Sequence, residues 1–468
     1  MNPFLLATLL TTAPLPAGER LAQAPASAPP APIQLEVSDP QLEPIAPAPV
    51  RLNSWDEALQ LLRQRSTQLA IALAQVEAAR GQRRVALAGL LPSLNGSVAV
   101  QNNLLGATFL QGGVGGGVGG GGVGGGVGDY TLTSPVGTGT LTAAVSLFNL
   151  QSVNALRAAN ATRQATELSL DDTQRQLTLT LAQALIQVSS AESVADVNRV
   201  NLRSALERLA LAQRRLELGA GTRLDVIRLQ QDTESARTSV VSGDENLRRA
   251  RDALGQLLGV NEPVGIHKEL SLEELFAQGQ RECRALQDVR ERADQAAARA
   301  RVLAAERSVS ATRSQYLPTL EAQSTALGFT VDPGFARVPV WNIGAVLTLP
   351  IYDGGARGGL VRQARAQEEQ ARQQAVELER SLTVEVRRAR RGVQVAREQK
   401  DIASRARELA DENDRLTRRS FEVGAGTSQD LVVSAAALRQ AELNLVVSEF
   451  QFFQARIESF LVEATCDW

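Results

Sequence analysis

LELGAGTRLDVI, residues 216–227, returns 205 positions later as FEVGAGTSQDLV, residues 421–432. In each copy an apolar-periodic run stops at Gly-Ala-Gly-Thr and a second run begins. Glycine readily takes the left-handed conformation that closes a helix, and threonine is a favoured cap for the helix that follows. Each stretch therefore reads as the tip of a helical hairpin. One chain carries two.

Working outward, the runs on either side of the tips are long. Residues 149–218 contain no Gly and no Pro, and residues 360–423 contain one Gly and no Pro. Leu177, Leu181, Leu185 and Val188, then Leu202, Leu206 and Leu209, recur at helical spacing. At about 1.5 Å per residue such a helix spans about 100 Å. The return runs, about 223–258 and 428–463, lie antiparallel to these helices. Further out, LPSL at 91–94 returns as LPTL at 317–320, an offset of 226. SLFNLQSVNALRAA at 146–159 returns as TLPIYDGGARGGLVRQA at 348–364, with Phe148 matching Tyr352 at an offset of 204. The first copy is thus longer by 22 residues. The tract GGVGGGVGGGGVGGGVG, residues 112–128, occupies 17 of them as an insertion.

Between LPxL and the matched aromatic the chain changes character. Residues 92–148 hold one charge, Asp129, and residues 317–352 hold three, Glu321, Asp332 and Arg337. Leu141, Ala143, Val145 and Leu147 alternate with Thr142, Ala144 and Ser146. Trp341, Ile343, Ala345 and Leu347 alternate with Asn342, Gly344 and Thr348. That is strand patterning. The expected hairpins pair about 93–109 with 131–148, and 319–330 with 339–352. Eight of the 17 aromatic residues sit in or beside these stretches: Phe109, Tyr130, Phe148, Tyr316, Phe329, Phe335, Trp341 and Tyr352. Charge-poor alternating strands bordered by aromatics suit a lipid-facing barrel. Four strands cannot close one, and open edges are not tolerated in lipid. A sheet of this kind requires several copies of the chain, and three would supply about twelve strands.

Composition excludes other classes. The 468 residues are 44% hydrophobic, 21% charged and 4% aromatic, with net charge -2. So few aromatics argue against a large compact core. Near-neutral charge argues against nucleic-acid binding. A single histidine, His267, leaves no histidine metal cluster and no choice of histidine for a Ser-His-Asp triad, and two cysteines exclude a zinc ribbon. We expect no enzyme, no cofactor and no metal. Outside the N-terminus no run of about 18 apolar residues is evident, so no membrane-spanning helix is expected. Residues 1–24 read as a signal peptide, with Phe4–Leu10 apolar and Ala22 and Ala24 before the cut. Residues 25–53 are rich in Pro and Ala and read as a linker, either extended on a surface or disordered.

Two copies of helix, LPxL, hairpin, aromatic-ended strand, long helix and Gly-Ala-Gly-Thr tip with a following Asp resemble the TolC-type outer-membrane efflux proteins over about residues 54–465. The resemblance implies an α+β membrane protein and a homotrimer. Its twelve-stranded barrel would lie in outer-membrane lipid and its α-helical coiled-coil tunnel in the periplasm. It implies an exit duct for a tripartite efflux pump or a type I secretion system, joined by a periplasmic adaptor (membrane fusion) protein and an inner-membrane transporter. The expected units are a first repeat, 54–262, a linker, 263–282, and a second repeat, 283–465.

The resemblance also assigns residues. Gly219, Ala220, Gly221, Thr222, Gly424, Ala425, Gly426 and Thr427 would contact the adaptor. Asp225, Arg228 and Asp430, with Arg223 of lower rank, are candidates for the tunnel entrance. Asp430 reads equally as a first-turn carboxylate stabilised by the helix dipole. Val433 occupies the next helical step, where relatives carry a second acid. Phe109, Tyr130, Phe148, Phe329, Trp341 and Tyr352 would border the membrane. The glycine tract reads as an extracellular loop and His267 as a surface residue. A Cys283–Cys466 disulfide suits an oxidising periplasm, but spacing does not establish it. The rival classes are a cell-surface coiled-coil protein, which leaves two charge-poor hairpins at equivalent places of two repeats unexplained, and a periplasmic adaptor, which is built around one helical hairpin rather than a duplicated unit.

Overall fold

A computed structural model describes residues 37–102, 131–132, 135–267, 271–332, 334 and 340–466. The expected signal peptide, the glycine tract, Phe109, Tyr130 and Phe335 lie outside the described residues. In chain order the first half contains β1 (Val50–Leu52), α1 (Trp55–Arg65), α2 (Thr67–Ala88), β2 (Ser93–Gln101), β3 (Thr131–Leu132), β4 (Val136–Phe148), α3 (Leu150–Glu217) and α4 (Arg223–Leu257). There follow β5 (Val264–Ile266), α5 (Leu272–Glu282), β6 (Cys283–Ala285), α6 (Ala293–Arg313), β7 (Thr319–Phe329), β8 (Val331–Asp332), β9 (Val340–Thr348), α7 (Ala356–Glu422), α8 (Ser428–Val462) and β10 (Ala464–Cys466).

The two long helices have 68 and 67 residues and their return helices 35 each. Local chemistry sets their starts. Asn149 caps α3 by accepting the Ser152 amide at 3.0 Å. α7 begins after Gly354 and Gly355, both with positive φ, while Asp353 accepts the amides of Gly355 and Arg357. α3 packs against α2 and α4, and α7 packs against α6 and α8; α3 also meets α6 and α8, which joins the two halves.

The principal core lies around the middle of α3. Leu177, Leu181, Leu185 and Val188 meet Trp55, Leu59 and Leu62 of α1, Leu247 and Leu254 of α4, and Leu52 and Val264 of β1 and β5. Smaller apolar clusters continue toward the tips.

Four strands form one antiparallel sheet in the order β2-β4-β7-β9. The central β4–β7 ladder, with Thr142 opposite Thr325, joins the two halves. Register partners share a face. Leu94, Val98, Leu141, Ala143, Ala326, Trp341, Ile343 and Leu347 therefore lie on one side, and Asn95, Ser97, Thr140, Thr142, Gln323, Thr325 and Asn342 on the other. The register breaks between Ser146 and Phe148, which places Phe148 opposite Leu320 on the apolar side. β2 and β9 each keep one unpaired edge within the chain. Val98 is 86% exposed, Ile343 76% and Trp341 71%.

Several expectations need correction. Part of the Pro/Ala-rich linker is packed: Asp39 caps a turn at Pro40–Leu42 and pairs with Arg237 at 2.8 Å, and β1 runs parallel to β5. The linker 263–282 contains β5 and α5. The disulfide left open by spacing is present. Cys283 and Cys466 are bonded at the β6–β10 pairing and buried with Leu461 and Ala464. One described helix, α8, is long and apolar enough to cross a membrane, with a stretch of mean hydropathy 1.3. α8 instead packs along α7 and α3, and its carboxylates Glu442 and Glu449 pair with Arg407 and Lys400 of α7.

Candidate functional site

Both tips are built alike. The Gly219 and Ala220 amides donate back to the carbonyls of Leu216 and Arg215, with Gly219 at φ +72. The Gly424 and Ala425 amides donate to Phe421 and Ser420, with Gly424 at φ +82. A side chain at either glycine would strain this helix-ending turn. The next helices start with reciprocal caps. The Asp225 amide donates to the Thr222 hydroxyl at 3.2 Å, while the Thr222 amide and hydroxyl donate to the Asp225 carboxylate at 3.0 and 2.7 Å. Thr427 and Asp430 repeat the pattern at 3.2, 3.3 and 2.7 Å.

Asp225 and Asp430 thus have a structural task in each chain. Burial pushes the Asp225 carboxyl up, but hydrogen bonds from Ser428 and Thr222 outweigh it and hold the group below its ordinary 3.8. Hydrogen bonds from the Thr427 hydroxyl and amide likewise hold Asp430 below 3.8. Both are anionic at neutral pH, and Asp430 is exposed at the tip surface. Val433, one turn on, is also exposed.

The structure brings the two tips together. Arg215 donates to the Phe421 carbonyl and to the Ala220 carbonyl, and its guanidinium lies 4.5 Å from the centre of the Phe421 ring. Arg228 donates to the Ser428 hydroxyl at 3.4 Å. Ala212, Val226, Leu229, Phe421 and Leu431 form a small apolar core beneath them. Arg223 is exposed.

Farther from the tips lies a charge network that sequence reading missed. Buried Asp232 of α4 accepts Arg439 of α8 at 2.8 Å and Arg208 of α3 at 3.4 Å. Asp414 of α7, also buried, accepts the Ser434 hydroxyl of α8 at 3.0 Å and faces Arg418 at 3.9 Å. Four helices meet at this cluster. Burial pulls the Arg208 guanidinium down from its ordinary value, opposed by Asp232 and Asp414. The available signal was distance from the turn: Arg208 and Asp232 flank Gly219, as Asp414 and Ser434 flank Gly424, at similar separations.

The border aromatics divide. Trp341 lies on the apolar face and donates its indole N–H to Ser324 at 3.0 Å, and Tyr352, 88% exposed, follows β9. Phe148 is on the apolar side. Phe329 differs from expectation: its partner is Thr138, so strand parity puts it on the polar face. No group of three or more His, Cys, Asp or Glu among the described residues could hold a metal ion.

Paired helical hairpins continue end-on into a single two-faced antiparallel sheet. The family model for outer membrane efflux proteins matches residues 58–260 and 286–458, and the chain belongs to that family. It is an outer-membrane protein. The fold is similar to that of CusC, described as forming a transmembrane channel, with TM-score 0.72, 18% identity and coverage of 87% of this chain and 91% of that one. It is also similar to the outer membrane protein VceC of Vibrio cholerae, with TM-score 0.70, 18% identity and coverage of 88% and 97%. Among curated proteins, the fusaric acid resistance protein FusA of Burkholderia cepacia is 26% identical over 210 residues, which is 43% of this chain and 39% of that protein. The chain spans about half the length of the curated relatives it matches.

Proposed function

We propose that three copies of this chain form an outer-membrane export duct, the exit of a tripartite efflux pump or a type I secretion system. One observation carries the reading: a four-stranded sheet with an exposed apolar face and unpaired outer edges on β2 and β9. In lipid those edges must be paired. Joining β2 of one copy to β9 of the next, three times, gives twelve strands and leaves no edge. The half-buried apolar surface of α8 supports contact with a neighbouring copy along the helices as well.

No bond is made or broken. Cargo passes through a hydrated lumen, and an inner-membrane transporter supplies the energy. The Gly-Ala-Gly-Thr turns at 219–222 and 424–427 are largely exposed ends of the helical part and the surface offered to a periplasmic adaptor. Asp430, with Asp225 and Arg228 nearby, places charge at the entrance. Opening would move the two hairpins of each chain apart at the tips, releasing the Arg215 contacts to the second tip. Trp341, Tyr352 and Phe148 anchor the sheet at the membrane border.

Planar-bilayer recording of the purified assembly tests the proposal. Discrete conductance steps are expected, larger after Asp430→Asn or Arg215→Ala. A stable trimer that never conducts, in either variant, would refute the duct.

A further inference from the structure

The four long strands of the sheet carry one charged residue among them, Glu321. Its register partners are Ser146 on β4 and Val346 on β9. Strand parity sets it on the polar face, with Gln323, Thr142 and Thr348, and opposite to the face that bears Trp341 and Ile343. It is the third residue of β7, about 7 Å from the end where the strands meet the helices. The register break between Ser146 and Phe148 adjoins it. Such bulges re-aim side chains and gather beside functional positions. Below the strands, Asp353 and Arg357 neutralise each other in an ion pair of 2.7 Å.

We infer that Glu321 sets the charge preference of the duct at the junction of sheet and helices, favouring cationic and neutral cargo over anionic cargo. The inference rests on the proposed three-copy closure, which turns one carboxylate into a ring of three on the lumen side. A ring of one sign against a low-dielectric wall concentrates counter-ions. It lies at the opposite end of α7 from Asp430, some 100 Å away, so the two positions act separately.

The test is the reversal potential of the reconstituted assembly across a potassium chloride gradient. Wild type should pass cations in preference to anions. Glu321→Gln should lower the permeability ratio about three- to tenfold at low salt, and far less at ~1 M salt, where screening shortens the reach of the charge to ~3 Å. Glu321→Cys keeps the test independent of how the Gln variant assembles. The native cysteines are bonded to each other, so a methanethiosulfonate reagent addresses the new thiol alone. A sulfonate-bearing adduct should restore cation preference and a trimethylammonium adduct should reverse it. A ratio unmoved by the Gln change and by both adducts would overturn the inference. So would a preference abolished by Asp430→Asn alone. Absence of conductance in wild type would instead sink the duct proposal itself.

Discussion

Asp232→Ala removes the carboxylate that pairs directly with both Arg208 and Arg439 at the four-helix junction. The Asp232 side chain is 2% exposed and the Arg208 side chain 5%, so water cannot replace what is lost. Breaking a buried pair by deleting one partner costs about 3–5 kcal/mol, because the remaining charge is left uncompensated. Unfolding entropy near 2.1 cal/mol/K per residue gives ~1 kcal/mol/K for a chain of 468 residues, so the midpoint should fall by about 3–5 °C. The assay is thermal unfolding of the detergent-solubilised assembly, followed by far-ultraviolet circular dichroism at a fixed heating rate. The triple change Arg208→Met, Asp232→Leu, Arg439→Met removes all three charges and should restore the midpoint or raise it, since well-packed apolar replacements of a buried triad are neutral or stabilising. An unchanged midpoint for Asp232→Ala, or a triple variant as unstable as the single one, would refute the reasoning.

Two other outcomes follow from local structure. Cys283 and Cys466 close a loop with a sequence separation of 183, for which the chain-entropy model gives about 5 kcal/mol. Replacing both by Ser should therefore lower resistance to urea, with both variants of a single cysteine behaving alike, and equal unfolding midpoints would contradict this. At the tips, folded Asp225 and Asp430 titrate below their ordinary 3.8. A depressed carboxyl stabilises the folded state above its unfolded pKa and loses that contribution as pH falls through the folded value. Amide exchange at Thr222 and Thr427 should thus accelerate as pH drops below about 3.8, beyond the intrinsic pH effect. Protection that persists fully in acid would argue against the reciprocal caps.

Much of the architecture was legible because its signals are long or repeated. Seventy residues without Gly or Pro leave little but helix, and a Gly-Ala-Gly-Thr turn seen twice is a tip. Strand alternation also located the sheet, since an apolar face on one side and a polar face on the other force a period of two. The three-residue strands β1, β5, β6 and β10 were not legible. Segments that short carry no period, and their pairing is decided by distant partners such as Leu52 with Ile266. Arg208, Asp232 and Asp414 escaped for a different reason: a charge on a long helix looks the same in sequence whether it faces water or another helix. Phe329 was placed by composition, whereas its face depends on register with Thr138. The helix α8 was expected at 428–463, but its apolar character escaped because its apolar residues are separated by Ser, Gln, Glu and Asn, so no unbroken run marks it. Of the tip residues, sequence named Asp225 and Asp430 but missed the reciprocal cap that each makes with its threonine, and it missed Arg215, whose contacts depend on the second tip lying beside the first.

The central claim is closure of the sheet by edge pairing between three copies. Ser97→Cys and Gly344→Cys place one thiol at the middle of β2 and one at the middle of β9. Within a chain, β4 and β7 stand between them, a separation of about 14 Å. A short bismaleimide can then link only neighbouring copies. Applied to the protein in its outer membrane, it should give a ladder that ends at three chains, with neither single variant producing one. Absence of linkage, or a ladder that stops at two chains or runs beyond three, would contradict the account.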